Sequence, residues 1–190
     1  MKKYIVFIIF CLTAIHGYSQ VEQRLDNKTS QKLTKEQKSE QKRIEREAMA
    51  ELVDQMIRAQ RFVLEADYLS NQTGRRVVVS SNLNFIIIDS SRITIQIASP
   101  FSLGGPNGMG GITTDGTISS FKTEKVGKTK SSYAIRLFAM TPVGQYDIFM
   151  NISPDAGANA TISGTSSGRL NYHGRIVPIT KSRHFKGQSI

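Results

Sequence analysis

From Arg61 onward apolar and polar residues alternate. Phe62, Leu64, Ala66 and Tyr68 occupy one set of positions and Val63, Glu65 and Asp67 the other, the period of two that sends successive side chains to opposite faces of a strand. Asn71-Gln72-Thr73-Gly74 supplies turn chemistry, Arg76 to Ser80 reads as a second strand, and Leu83 to Asp89 followed by Arg92 to Ala98 predicts a hairpin around Ser90-Ser91, with Ile93, Ile95 and Ile97 on one face. Further strands are predicted at Ile112 to Thr114, Ile118 to Glu124, Tyr133 to Met140, Gln145 to Ile152, Ala158 to Gly164 and Leu170 to Val177. No helical pattern interrupts them, and the connections are too short for parallel crossovers. The expected fold is mainly β: an antiparallel meander forming a curved sheet, a small barrel or a sandwich, lipocalin-like in outline.

One segment ahead of the strands has a different period. Ile44, Ala48, Leu52, Val53, Met56 and Ile57 recur at helical spacing, which draws an apolar stripe along one N-terminal amphipathic helix. Thr34 with Gln37 fits a capping box. Glu45, Glu47, Glu51 and Asp54 mix acids into the polar side, whereas membrane-surface helices favour Lys and Arg there. The helix is therefore expected to pack on the domain's own sheet. Residues 22–43 are rich in Lys, Glu, Gln and Ser and have too little apolar surface to offset ordering. Residues 20–43 thus read as a charged polar lead-in, and 44–190 as a single helix-plus-antiparallel-β domain.

The first residues carry a third pattern. Lys2 and Lys3 precede an almost unbroken apolar run from Tyr4 to Ile15, and Gly17-Tyr18-Ser19 offers small residues where a signal peptidase reads. A membrane-spanning helix needs about 20 apolar residues, and this run is shorter and ends in Gln20-Val21-Glu22-Gln23. Residues 1–19 are expected to be a signal peptide cleaved near Ser19/Gln20, leaving a periplasmic or secreted product that does not span the membrane. Cys11 lies inside the apolar run after Phe10, which does not suit lipidation. An outer-membrane barrel is disfavoured by the absence of Trp and of aromatic girdles at strand ends.

Cleavage changes the rest of the inventory. Cys11 is the only cysteine, so the mature chain has neither a disulfide nor a thiolate metal site, and a core must stabilise it. About 170 of the 190 residues remain, enough for one domain with such a core. Losing Lys2 and Lys3 takes the formal net charge from +10 to +8. Asp155 is the last acid, and Arg169, Arg175, Lys181, Arg183 and Lys186 follow it unopposed along the sequence. A basic surface attracts polyanions; in an envelope these are headgroups or acidic glycans, so no nucleic-acid partner is expected.

Candidate chemistry is sparse. Gly104, Gly105, Pro106, Asn107, Gly108, Met109, Gly110 and Gly111 form the most conspicuous segment. It lacks the Lys-Ser/Thr of a phosphate-binding loop and any G-x-G-x-x-G spacing, so it reads as a wide turn, with a ligand-gating or partner-contacting loop as the alternative. Glu65 and Asp67 share a strand face but have no recognisable second carboxylate across a cleft. His173 and His184 have no metal-ligand spacing. The chain is expected to carry no cofactor and not to be an enzyme.

The order of segments is nevertheless familiar. Phe62-Val63-Leu64-Glu65-Ala66-Asp67, the strand from Asn84 to Asp89, Gly105-Pro106-Asn107-Gly108-Met109-Gly110-Gly111-Ile112-Thr113 and the closing Phe185-Lys186-Gly187 resemble the bacterial envelope family known as domain of unknown function 4251. The likeness runs over about residues 44 to 188. It implies a secreted bacterial protein with a β-rich fold, and it brings no activity, cofactor or catalytic residues. Beside it, the residues favour a non-catalytic binding module for an apolar or amphipathic envelope molecule, because small barrels enclose single ligands and strands such as Tyr146-Asp147-Ile148-Phe149-Met150 offer adaptable apolar side chains. The alternative is a structural or protein-interaction module without a small ligand, reaching an envelope protein.

Overall fold

A computed structural model describes residues 34–98, 112–127, 131–164 and 168–189. The expected signal peptide with Cys11 and the segment Gly104 to Gly111 lie outside the described residues. The chain divides into two compact units, Met1–Glu45 and Arg46–Ile190. In the first, residues 34–45 are helical and exposed. Helix α1 covers residues 34–59 among the described residues, and so takes in ten residues, 34–43, read from sequence as lead-in. Its apolar stripe is shorter than predicted: Ile44 and Ala48 are exposed, and burial is confined to Val53, Met56 and Ile57 with Leu52 beside them.

Among the described residues of the second unit nine strands follow: β1 (Arg61–Asn71), β2 (Arg76–Val78), β3 (Phe85–Asp89), β4 (Arg92–Ile97), β5 (Ile112–Val126), β6 (Ser132–Thr141), β7 (Gly144–Ile152), β8 (Gly157–Gly164) and β9 (Arg169–Val177). Each pairs antiparallel with its neighbour, and β9 returns to pair with β1. Eight strands thus close into a barrel, with β2 attached as a ninth beside the far half of β1. Closure leaves β1 no free edge over its first half, where β3 takes one side and β9 the other.

Alternation fills the inside. Phe62, Leu64, Ile88, Leu137, Ile148 and Met150 point inward and are fully buried, each such side chain contributing about 1.5–3 kcal/mol relative to exposure. Val53, Met56 and Ile57 of α1 join this core. Asp54, on the same stretch of helix, accepts from the Tyr133 hydroxyl and pairs with Lys125 at 2.9 Å. The end of α1 therefore closes the barrel where β1 begins.

Two bulges depart from strict alternation. Between Ala66 and Tyr68 the pairing of β1 with β9 slips by one residue, so Leu69 turns inward and Tyr68, expected on the face of Phe62, turns outward. Gly174 makes this slip possible, because a Cβ there would lie 1.9 Å from the Glu65 carbonyl oxygen. A second slip between Ile118 and Ser120 explains why the sequence reads β5 as two strands: the parity changes within one continuous strand.

After β9 the chain makes a short 3-10 turn at Ile179–Lys181 and crosses the outer face of β1, β3, β4 and β5. The Gln96 side chain anchors this strap. Its amide donates to the carbonyls of Phe185 (2.9 Å) and Leu83 (3.1 Å), and its oxygen accepts from the Gly187 N–H (2.8 Å) and the Thr113 hydroxyl (2.9 Å). Val63 and Phe85, on the outer face by register, are thereby fully buried. Lys186, unopposed along the sequence, meets Asp115 at 2.7 Å in space.

Candidate functional site

Opposite the α1 plug, the inner face changes character. Ile97 and Ile112 pair across β4 and β5, and with Tyr146 and Leu170 they are only half-buried although they face inward. Behind them the Thr114 side chain is 1% exposed in total. Its hydroxyl is buried with no hydrogen-bond partner among the described residues, an arrangement that costs about 1–3 kcal/mol. The Tyr172 hydroxyl donates to the Gln96 carbonyl at 3.0 Å. Burial pushes the Tyr146 phenol up, and pushes the Tyr172 phenol well up with Tyr146 as the second cause, so both remain neutral. This end of the barrel therefore presents apolar walls with neutral hydroxyls set into them. Residues 99–111, which include the glycine segment singled out from sequence, link β4 to β5 and lie outside the described residues.

The other carboxylates and histidines named from sequence are dispersed. Glu65 accepts from the Ser182 hydroxyl (2.6 Å) and the Arg183 N–H (3.2 Å), serving the strap. Asp67 is exposed at the bulge. His184 packs on Phe85 with ring centroids 5.2 Å apart. Among the described residues no three His, Cys, Asp or Glu side chains group as metal ligands, and no helix is long and apolar enough to cross a membrane.

His173 is different. It lies on the outer face of β9, opposite Asn159 of β8 and Tyr68 of β1. Its Nδ1 is 2.6 Å from the Asn159 side-chain oxygen and its Nε2 3.1 Å from the Ser70 hydroxyl. Asn171 donates to that hydroxyl at 3.4 Å and accepts from Thr161 at 2.8 Å. Tyr68 stacks on the imidazole at 4.4 Å, and the Arg76 guanidinium lies 5.4 Å above the Tyr68 ring. Burial, and then the charge of Arg76, holds the imidazole below its ordinary pKa. A shallow groove of about 310 Å³ runs beside it, lined by Asp67, Tyr68, Gly157, Asn159 and His173. Spacing in the sequence could not indicate this cluster, because Ser70 and His173 are 103 residues apart and meet only through barrel closure.

A third feature is apolar. Phe138, Met140 and Phe149 stand outward on β6 and β7, with Val143 in the turn between them, and all four are exposed. Arg136, paired with Asp147 at 2.8 Å, lies against Phe138.

The sequence profile of the family described as "Domain of unknown function (DUF4251)" matches residues 27–176. The chain belongs to the DUF4251 family. A crystal structure of a DUF4251 family protein from Bacteroides eggerthii DSM 20697 shares 30% identity and superposes with a TM-score of 0.61, covering 75% of this chain and 96% of that one. No curated protein matches the chain. The DUF4251 profile spans all of α1, every barrel strand almost to the end of β9, and the cluster at His173; the strap from Pro178 to Ser189 falls beyond it. Family membership thus supports the barrel and assigns it no chemistry.

Proposed function

We propose that this DUF4251 chain is a periplasmic or secreted binding module that holds an apolar or amphipathic envelope molecule at the barrel end opposite α1. The observation that carries the reading is the Thr114 hydroxyl, buried without a partner behind the half-buried Ile97, Ile112 and Leu170. Buried polar groups are nearly always satisfied, and a ligand with an acyl chain and one acceptor near its buried end supplies what Thr114 lacks. The deeper barrel is filled by its own side chains, so the ligand enters only the last layer. A fluorescent long-chain fatty acid tests the reading: the protein should bind it, and Leu170→Arg should weaken binding at least tenfold while the melting temperature holds. Absence of binding, or binding untouched by Leu170→Arg, would count against it.

The alternative reading, an envelope interaction module, draws on the outward row of Phe138, Met140 and Phe149, since exposed apolar side chains in a row mark contact surfaces. It predicts that Phe138→Ser with Phe149→Ser abolishes a partner contact and leaves fatty-acid binding intact.

A further inference from the structure

We infer that Ser70 is a reactive nucleophile, with His173 as its general base and Asn159 as the residue that positions the base, forming a site for small acyl esters on the outside of the barrel. This goes beyond the binding reading, which needs no reactive group and concerns the other face of the wall. The direction of every hydrogen bond around His173 is set by its neighbours. Thr161 donates to the Asn171 side-chain oxygen, which leaves the Asn171 amide to donate to the Ser70 oxygen. The Ser70 proton then has one acceptor in line, His173 Nε2 at 3.1 Å. At the other side of the ring, Nδ1 faces the Asn159 oxygen at 2.6 Å and carries the ring's single proton. A hydroxyl donating to an unprotonated imidazole nitrogen, with the opposite N–H held by a fixed acceptor, is the arrangement that activates serine. The lowered pKa keeps the imidazole in the form that can take the proton.

The surroundings suit an acyl substrate. Ser70 stands opposite Arg76 across β1 and β2, and the Arg76 guanidinium lies over the neighbouring Tyr68 ring, so a cation stands beside the site and favours negative charge developing there. In the reaction the Ser70 oxygen adds to the ester carbonyl while its proton passes to His173 Nε2. The tetrahedral adduct collapses by breaking the bond to the alcohol, which leaves with that proton. Water then attacks the acyl-serine, gives its proton to Nε2, and the acid departs as Ser70 recovers the proton. Ser70 is 6% exposed, which restricts the site to slender acyl groups.

Methanesulfonyl fluoride, a serine-directed reagent slender enough for this site, tests the inference without a known substrate. Incubated with the purified folded chain, it should leave one adduct, located at Ser70 by peptide mapping. Ser70→Ala should remove it, His173→Gln should slow it at least tenfold, and the chain unfolded in urea should not react. Absence of an adduct on the folded chain, an adduct elsewhere, or a rate indifferent to His173→Gln would overturn the assignment. Mapping on the unsubstituted chain decides the matter even if Ser70→Ala fails to fold. Fatty-acid binding at the barrel mouth is unaffected by either outcome.

Discussion

The Tyr133 hydroxyl donates to the Asp54 carboxylate, tying the start of β6 to the helix that plugs the barrel. Lys125 reaches the same carboxylate from the end of β5, and Arg58 pairs with it along the helix at 2.6 Å. These partners, Tyr133 first and Lys125 second, lower the Asp54 pKa. A depressed folded-state pKa stabilises above the ordinary aspartate range, and the contribution is lost as pH falls through about 4 and below. Asp54→Asn should therefore lower stability at pH 7 by about 1 kcal/mol, as expected for one partly exposed charged hydrogen bond. Urea unfolding should show the gap between variant and unsubstituted chain shrinking toward pH 3.

Gly174 and Glu65 make the closest approach between β1 and β9. With a Cβ at Gly174 only 1.9 Å from the Glu65 carbonyl oxygen, Gly174→Ala must push the strands apart at the bulge. A loss of about 2–4 kcal/mol is expected, read as a lower urea midpoint with faster amide exchange in β1 and β9.

Thr114→Val should act in the opposite direction. It removes an unsatisfied buried hydroxyl while keeping the volume, so the ligand-free protein should gain about 1 kcal/mol of stability. The same change should weaken fatty-acid binding, because the polar anchor is gone. Thermal melts with and without the fatty acid separate the two effects.

Gln96→Leu should release the strap. The carbonyls of Phe185 and Leu83 and the N–H of Gly187 would lose their shared partner, at a cost of about 2–4 kcal/mol for buried polar groups. Hydrogen exchange should rise at Phe185 and Gly187, and at Val63 and Phe85 beneath them, while β6 to β8 stay protected.

Much of this molecule is legible in the alternation of its residues. Ile93, Ile95 and Ile97 do share the inner face, and the strands predicted from Tyr133 to Val177 match β6 to β9 within a residue or two. The failures have local causes. Alternation alone places Tyr68 on the face of Phe62 because a bulge leaves no mark in a run of alternating residues, and β5 reads as two strands for the same reason. Ile44 fits a helical stripe but lies beyond the turns that reach the core. The strap escapes prediction because Gln96 organises it through side-chain bonds to residues 89 and 91 positions away. The cluster at His173 is half legible: Asn159 faces it across a hairpin, whereas Ser70 arrives from the first strand.

The central proposal, a ligand held at the barrel end over Thr114, is tested most directly by native mass spectrometry of the protein purified from its native cells. The account predicts a bound mass of lipid size that survives gentle ionisation, is lost on unfolding, and is depleted in Leu170→Arg. Repeated recovery of clean, ligand-free protein would contradict it.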